Sequence, residues 1–380
     1  MSTEPRKQTH PYDPEGLNTG SWPRIADDAL ITPVAQFFTR SHAAPPAIDL
    51  NTWRLEVDGL VERPARYSLD DLAKTFAQKE VASTLVCAGM RRAELLEVAP
   101  LPGELPWQAD AASTGVWSGI ALCDVLEAAG VKSAAKHVEF IGLDRVERHG
   151  HEFGFGGSID LHKALTDDVL LATHLNGAPL PSEHGFPMRV VVPGWIGARQ
   201  VKWLGRINVK AEPSDNYFQT NAYRVQREPN PNDLRDVTSG IAMTTVPLNA
   251  VMTEIAGDAG DAEVAGGIAG DAGVRKAGNV VAAGVVTVRG WAMGTGGGPL
   301  HSIEVTTEGS NEWVAAHAVG DAGRWTWTFW QATLELPPGE HVLVARAADA
   351  TGGMPSSVSE TWNVKGYGNN AWHRVRITVR

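Results

Sequence analysis

A chain of 380 residues predicts two domains at about 100–200 residues each and is too long for a small peptide scaffold. Hydrophobic residues make up 43% and charged residues 20%, with 40 Gly and 23 Pro, a balance that fills cores and places many residues in turns. The net charge of −11 argues against a nucleic-acid partner, and two cysteines are too few for a disulfide framework, a cysteine zinc site or an iron–sulfur cluster.

The first residues, MSTEPRKQTHPYDPEG, hold no apolar segment and no twin-arginine run, and no apolar run elsewhere reaches about 18 residues, so neither a signal peptide nor a membrane anchor is expected. The expected location is cytoplasmic, or periplasmic if a leader has been removed. WRLEVDGLV (53–61) alternates with the period of a half-buried strand, and LDDLAKTF follows with helical spacing behind Ser68 as N-cap. STLVC (83–87) is a short apolar strand, and SGIALCDVLEAAG reads as an amphipathic helix capped by Ser118 and stopped by Gly130. HVEFIGL, DVLLATHL, MRVVVPG and VKWLGRINV add four strands before about residue 210, separated by Gly, Pro and Asn. The pattern favours an α+β fold over a doubly wound parallel sheet.

Beyond about residue 240 helical periodicity disappears, and VVTVRGWAM, HSIEVTTEG, EWVAAHAV, RWTWTFWQATLEL, EHVLVARAAD, ETWNVKG and HRVRITV recur as seven strands at β-sandwich spacing. The domains expected are therefore 1–240 and 241–380, with an Ala/Gly/Asp tract at about 256–280 read as a surface loop. RWTWTFWQ carries more apolar side chains than one buried face requires, which predicts a covered second face and, with it, a homodimer.

Cys87 closes an apolar strand and precedes Ala-Gly-Met-Arg-Arg. It reads either as a small buried hydrophobe or, beside Arg91 and Arg92, as a thiolate. Cys123, inside a predicted helix without basic neighbours, reads as structural. His184, Arg189, Arg199, Lys202 and Arg206 interrupt apolar strands, as Arg40 and His42 follow aromatic residues in FFTRSH. Such cations require anionic partners, either the chain's own carboxylates or an anionic ligand.

In order along the chain, FFTRSH, CAGMRR, WSGIALCDVL, FGGSI, HGFPMRVVVPG, GARQVKWLGRI and WNVKGYGNNAWHRV resemble the sulfite oxidase family of molybdopterin enzymes. That resemblance implies an α+β molybdopterin-binding domain followed by an immunoglobulin-like dimerisation domain. It implies that Cys87 is the thiolate ligand of molybdenum, a soft donor suited to that metal. Phe38, Thr39, Arg40, Ser41, His42, Asp144, His184, Arg189, Gln200, Val201 and Lys202 match the cofactor-contact positions, and Arg40, Arg92, Trp107, Tyr223 and Lys365 match the substrate pocket. The implied activity is oxygen-atom transfer to sulfite, giving sulfate, with Cys87, Tyr223 and Arg40 carrying the catalysis.

Two positions depart from the family pattern. Met90 stands where Asn usually follows CAG, and Lys365 replaces an arginine, keeping the charge but losing the planar fork. The chain begins 36 residues before FFTRSH and has no C-x-x-C-H, so no haem is expected and electrons are expected to leave to an external acceptor, a soluble cytochrome or oxygen. The competing readings are a nitrate-type oxyanion reductase or a sulfoxide reductase on the same scaffold, and a non-catalytic binding protein on a degraded one.

Overall fold

The computed structural model describes residues 9–21, 30–227, 238–257, 279–320 and 323–380. The first part of the chain packs two five-membered sheets against short helices. One sheet runs in the order Gly156–Asp160, His137–Gly142, Leu204–Lys210, Leu55–Gly59 and Ala65–Tyr67. Only Leu204–Lys210 against Leu55–Gly59 pairs in parallel. The other joins Ala178–Pro179, Leu170–Leu175, Ala112–Ala121 and Gln78–Val86, with Arg189–Val191 on the far part of Leu170–Leu175. The α+β expectation holds.

Local sequence explains where the elements begin and end. Helix Leu69–Thr75 starts on the N-cap expected at Ser68, and the structure adds a capping box: the Ser68 hydroxyl accepts from Asp71 N–H while Asp71 accepts from Ser68 N–H. The helix read as capped by Ser118 starts later, at Leu122, because Ser118 belongs to the ten-residue strand Ala112–Ala121, paired on both edges with Gln78–Val86 and Leu170–Leu175. Its stop at Gly130, in the left-handed region, is as expected. Cys123 sits on this helix, half-buried.

The second part is a β-sandwich. One sheet holds Asn249–Gly257, Gly284–Met293, Thr328–Leu336 and His317–Val319, and the other is built on His373–Val379, Gly339–Asp349 and Leu300–Thr307. Sequence reading passed over Asn249–Gly257, whose NAVMTEIAG does not alternate. It also took ETWNVKG for a strand, whereas the chain there forms the one-turn helix Val358–Thr361 and then a turn closed by Gly366 N–H on the Asn363 carbonyl. The Ala/Gly/Asp tract lies, from residue 258 to 278, outside the described residues.

Trp327, Phe329 and Trp291 are buried on Cys87, Met90 and Trp107 in one apolar cluster, while Trp330 fills the sandwich core. Both faces of the aromatic strand are therefore covered within one chain, each large side chain contributing about 1.5–3 kcal/mol by burial. The surplus of apolar residues in RWTWTFWQ is explained by this contact between domains and is not an argument for a dimer. Polar groups sew the same junction. Arg91, fully buried, pairs with Glu94 at 2.7 and 2.6 Å and donates to Asn249 Oδ1 at 2.7 Å, and Asn369 Nδ2 donates to the Arg91 carbonyl at 3.0 Å.

Candidate active site

A cleft with about 720 Å³ of empty space opens in the first domain, lined by residues 37–42, Cys87, Asp144, His184, Arg189, Gln200, Lys202 and Tyr223. Cys87 enters it from the end of strand Gln78–Val86, where the chain turns: Cys87 N–H donates to the Ala111 carbonyl at 2.9 Å and Met90 N–H to the Cys87 carbonyl at 3.0 Å. Gly89 N–H donates to Cys87 Sγ at 3.4 Å. A Cβ at Gly89 would lie 2.5 Å from the Arg92 guanidinium and would displace it.

Burial raises the Cys87 thiol pKa, with Arg40 and Arg92 pulling it the other way. This corrects the expectation of a thiolate held by Arg91 and Arg92 alone. Arg91 is turned to Glu94 and Asn249, and Arg92 donates to the Lys365, Gly366 and Leu105 carbonyls. A coordinated metal ion, in contrast, deprotonates a thiol outright. Among the described residues no three His, Cys, Asp or Glu side chains cluster to hold a metal.

The FFTRSH segment runs extended along the cleft. Phe38 N–H donates to Ser113 Oγ at 3.1 Å, and Thr39 bridges to Thr19 through main chain and hydroxyls. Arg40 donates to Asn18 Oδ1 at 3.0 Å and to the Ser41 carbonyl at 2.6 Å; Asn18 Oδ1 also accepts from Ser41 N–H. Asn18, far upstream, carries no motif and escaped sequence reading. Ser41 Oγ accepts from Lys202 Nζ at 2.6 Å, and Lys202 also donates to the Glu183 carbonyl at 2.9 Å.

His42 lies between cations. Arg148 Nη2 is 3.2 Å from its Nδ1, its Nε2 is 2.7 Å from Tyr223 Oη, and its ring stacks on Phe155 and lies 4.4 Å from Phe218. Burial first, then Arg40, Arg148, Lys202 and Arg92, lower its pKa well below the usual value and keep the imidazole neutral. Arg40 Nη2 also lies 3.3 Å from both ring nitrogens, so the neutral imidazole is surrounded by donors and shares one hydrogen bond with Tyr223 Oη. Tyr223, at φ 55° in the left-handed region, is held there by a hydrogen bond from Met243 N–H to its carbonyl. Burial raises its phenol pKa.

Arg189 donates to the His184 and Gln200 carbonyls at 3.1 Å each and lies 4.9 Å over the Trp117 ring, while its buried Nε has no hydrogen-bond partner. Burial lowers its pKa to about 9. A buried guanidinium with carbonyl partners only, facing a cleft, is a site for a bound anion. Arg206, by comparison, finds its anion inside the chain in Asp58 at 2.8 Å, the ordinary outcome for a cation on a strand. Asp144 accepts from Phe155 N–H at 2.9 Å and is raised in pKa by burial. Gln200 turns its amide to the Trp195 carbonyl and Val192 N–H, and Val201 packs its side chain into the first domain's core, so Val201 offers a ligand only main-chain atoms.

Arg92, Trp107 and Lys365 do not line this cleft. Arg92 and Lys365 lie behind Tyr223: the Arg92 guanidinium is 5.2 Å from the Tyr367 ring, which stacks on Tyr223 at 5.3 Å, and Lys365 Nζ pairs with Glu104 at 3.1 Å. Trp107 is fully buried, 4.4 Å from the Tyr12 ring, and its Nε1 has no partner. Met90, the departure from CAGN, is buried in the same apolar cluster as Cys87.

Residues 42–218 match the family model described as an oxidoreductase molybdopterin binding domain, and residues 272–380 match a Mo-co oxidoreductase dimerisation domain. The chain is 36% identical to the mitochondrial sulfite oxidase of Macaca fascicularis over 94% of its length, and spans 63% of that relative. It is 31% identical to the sulfite oxidase of Arabidopsis thaliana over 92% of its length and 89% of that protein. A nitrate reductase of Hordeum vulgare is 32% identical over 97% of this chain, which covers 41% of that enzyme. Among solved structures, the sulfane dehydrogenase SoxCD from Paracoccus pantotrophus superposes with a TM-score of 0.70 at 25% identity, covering 92% of this chain and 81% of that one.

Proposed function

Because the chain belongs to the sulfite oxidase family of molybdopterin enzymes, we propose that it oxidises sulfite to sulfate and passes the electrons to an external acceptor. The observation that carries this reading is the placing of one buried cysteine, Cys87, in a cleft that also presents Arg40 and Arg189, neither of them paired with a carboxylate among the described residues. These residues fit a molybdenum–molybdopterin cofactor: a soft donor for the metal, and buried cations with an orphaned N–H for its anionic tail. Cys87 would ligate molybdenum, while residues 38–42, Asp144, His184, Arg189, Gln200, Lys202 and the main chain of Val201 would hold the pterin. When bound, the cofactor supplies the two-electron oxygen-atom-transfer chemistry.

The chain's own part is charge and orientation. Arg40, fixed by Asn18, presents a guanidinium to an oxyanion without an ordering cost at binding. Tyr223 shares one hydrogen bond with His42 Nε2, and its phenol O–H would be the group presented to a substrate oxygen. The high phenol pKa keeps that proton in place at neutral pH. The match of the second domain to a dimerisation model supports self-association of two chains.

The similarity to a nitrate reductase makes the substrate the point to test. Steady-state assays of molybdenum-loaded protein with sulfite plus an electron acceptor, and with nitrate plus a donor, are expected to give turnover with sulfite; turnover with nitrate alone would overturn the proposal.

A further inference from the structure

The LPGELPW segment (101–107) folds over Arg92, whose Nη1 donates to the Leu105 carbonyl at 2.9 Å. From this segment Glu104 reaches between two cations of different domains. Its carboxylate lies 3.1 Å from Lys365 Nζ and 3.4 Å from Arg92 Nη2. Arg92 is held independently of it, because Arg92 Nε donates to the Lys365 carbonyl at 2.9 Å and to the Gly366 carbonyl at 3.2 Å, whereas the Lys365 ammonium donates to Glu104. A Cβ at Gly366 would come within 2.6 Å of Arg92, so the close approach is built into the backbone. Through Tyr367, stacked on Tyr223, this group borders the residue that faces the cleft.

Two cations and one carboxylate leave a single positive charge. Glu104 is the most open member, 16% exposed at its side chain against 5% for Arg92 and 11% for Lys365. Resting on the oxyanion reading above, we propose that Glu104 is a specificity-determining residue: its carboxylate offsets the two cations, Arg92 and Lys365, that stand behind the cleft, and so weakens the hold of the site on doubly charged anions, the sulfate product foremost.

The test is calorimetric binding of sulfate to the molybdenum-loaded protein. Glu104→Gln removes the competing charge but keeps an acceptor for Lys365, and is expected to lower the sulfate dissociation constant about fivefold or more, since like charges at one site are costly. Unchanged or weaker binding in the folded variant overturns the proposal. Should Glu104→Gln not fold, Glu104→Asp decides, because its carboxylate retracts by one methylene; tighter sulfate binding supports the competition and unchanged binding overturns it. Sulfate binding requires no turnover. Tighter binding in a protein that fails to oxidise sulfite would remove the function proposed above and leave this inference standing, and sulfite oxidation with unchanged sulfate binding would do the reverse.

Discussion

Cys87→Ser is expected to lower turnover by roughly a thousandfold or more, the scale on which one essential member of a catalytic unit acts, while the far-ultraviolet circular dichroism stays that of the parent. The hydroxyl is a hard, weakly acidic donor where the site presents a soft one. The folded state has little to lose, because the Cys87 side chain takes a single weak contact from Gly89 N–H and its structural bonds run through the main chain to Ala111 and Met90. Retained sulfite turnover would remove Cys87 from the metal. Loss of the fold would show instead that the cysteine is held for packing against Trp107 and Trp291.

Arg40→Gln is expected to raise KM for sulfite about tenfold or more, the loss of a charged hydrogen bond of about 1.5–3 kcal/mol, with a smaller change in kcat. Asn18 and the Ser41 carbonyl hold the guanidinium in place before any ligand arrives, so the charge acts on binding. Glutamine keeps a polar head for Asn18 but carries no charge, and Arg189 and Lys202 line the same cleft without occupying the place of Arg40. An unchanged KM would show that the anion binds elsewhere, with the Arg92–Lys365–Glu104 group as the next place to look.

The cleft was legible where chemistry is written in short ordered motifs. Cys87 in CAGMRR, Arg40 and His42 in FFTRSH, and Arg189 and Lys202 in the two basic stretches all line one cavity. The residues that position them were not legible, because they come from distant segments and carry no pattern: Asn18 braces Arg40, Arg148 approaches His42 Nδ1, and Glu104 faces Lys365 across more than 250 residues. Local fold signals fared the same way. The Ser68 N-cap is a purely local device, and helix Leu69–Thr75 starts on it as expected, whereas the start of helix Leu122–Ala129 is displaced because two neighbouring strands extend the pairing of Ala112–Ala121 through Ser118. The surplus aromatic face of RWTWTFWQ was real, but periodicity cannot say which surface covers a strand, and here the cover is the first domain.

The reading as a whole turns on one thiolate, one metal and one substrate acting together. An anaerobic absorbance titration with sulfite, on protein of known molybdenum content, follows the thiolate-to-molybdenum charge-transfer band directly. Bleaching of that band in proportion to the molybdenum present is the predicted result. A band that persists under excess sulfite in fully loaded protein would contradict sulfite oxidation while leaving the cofactor in place.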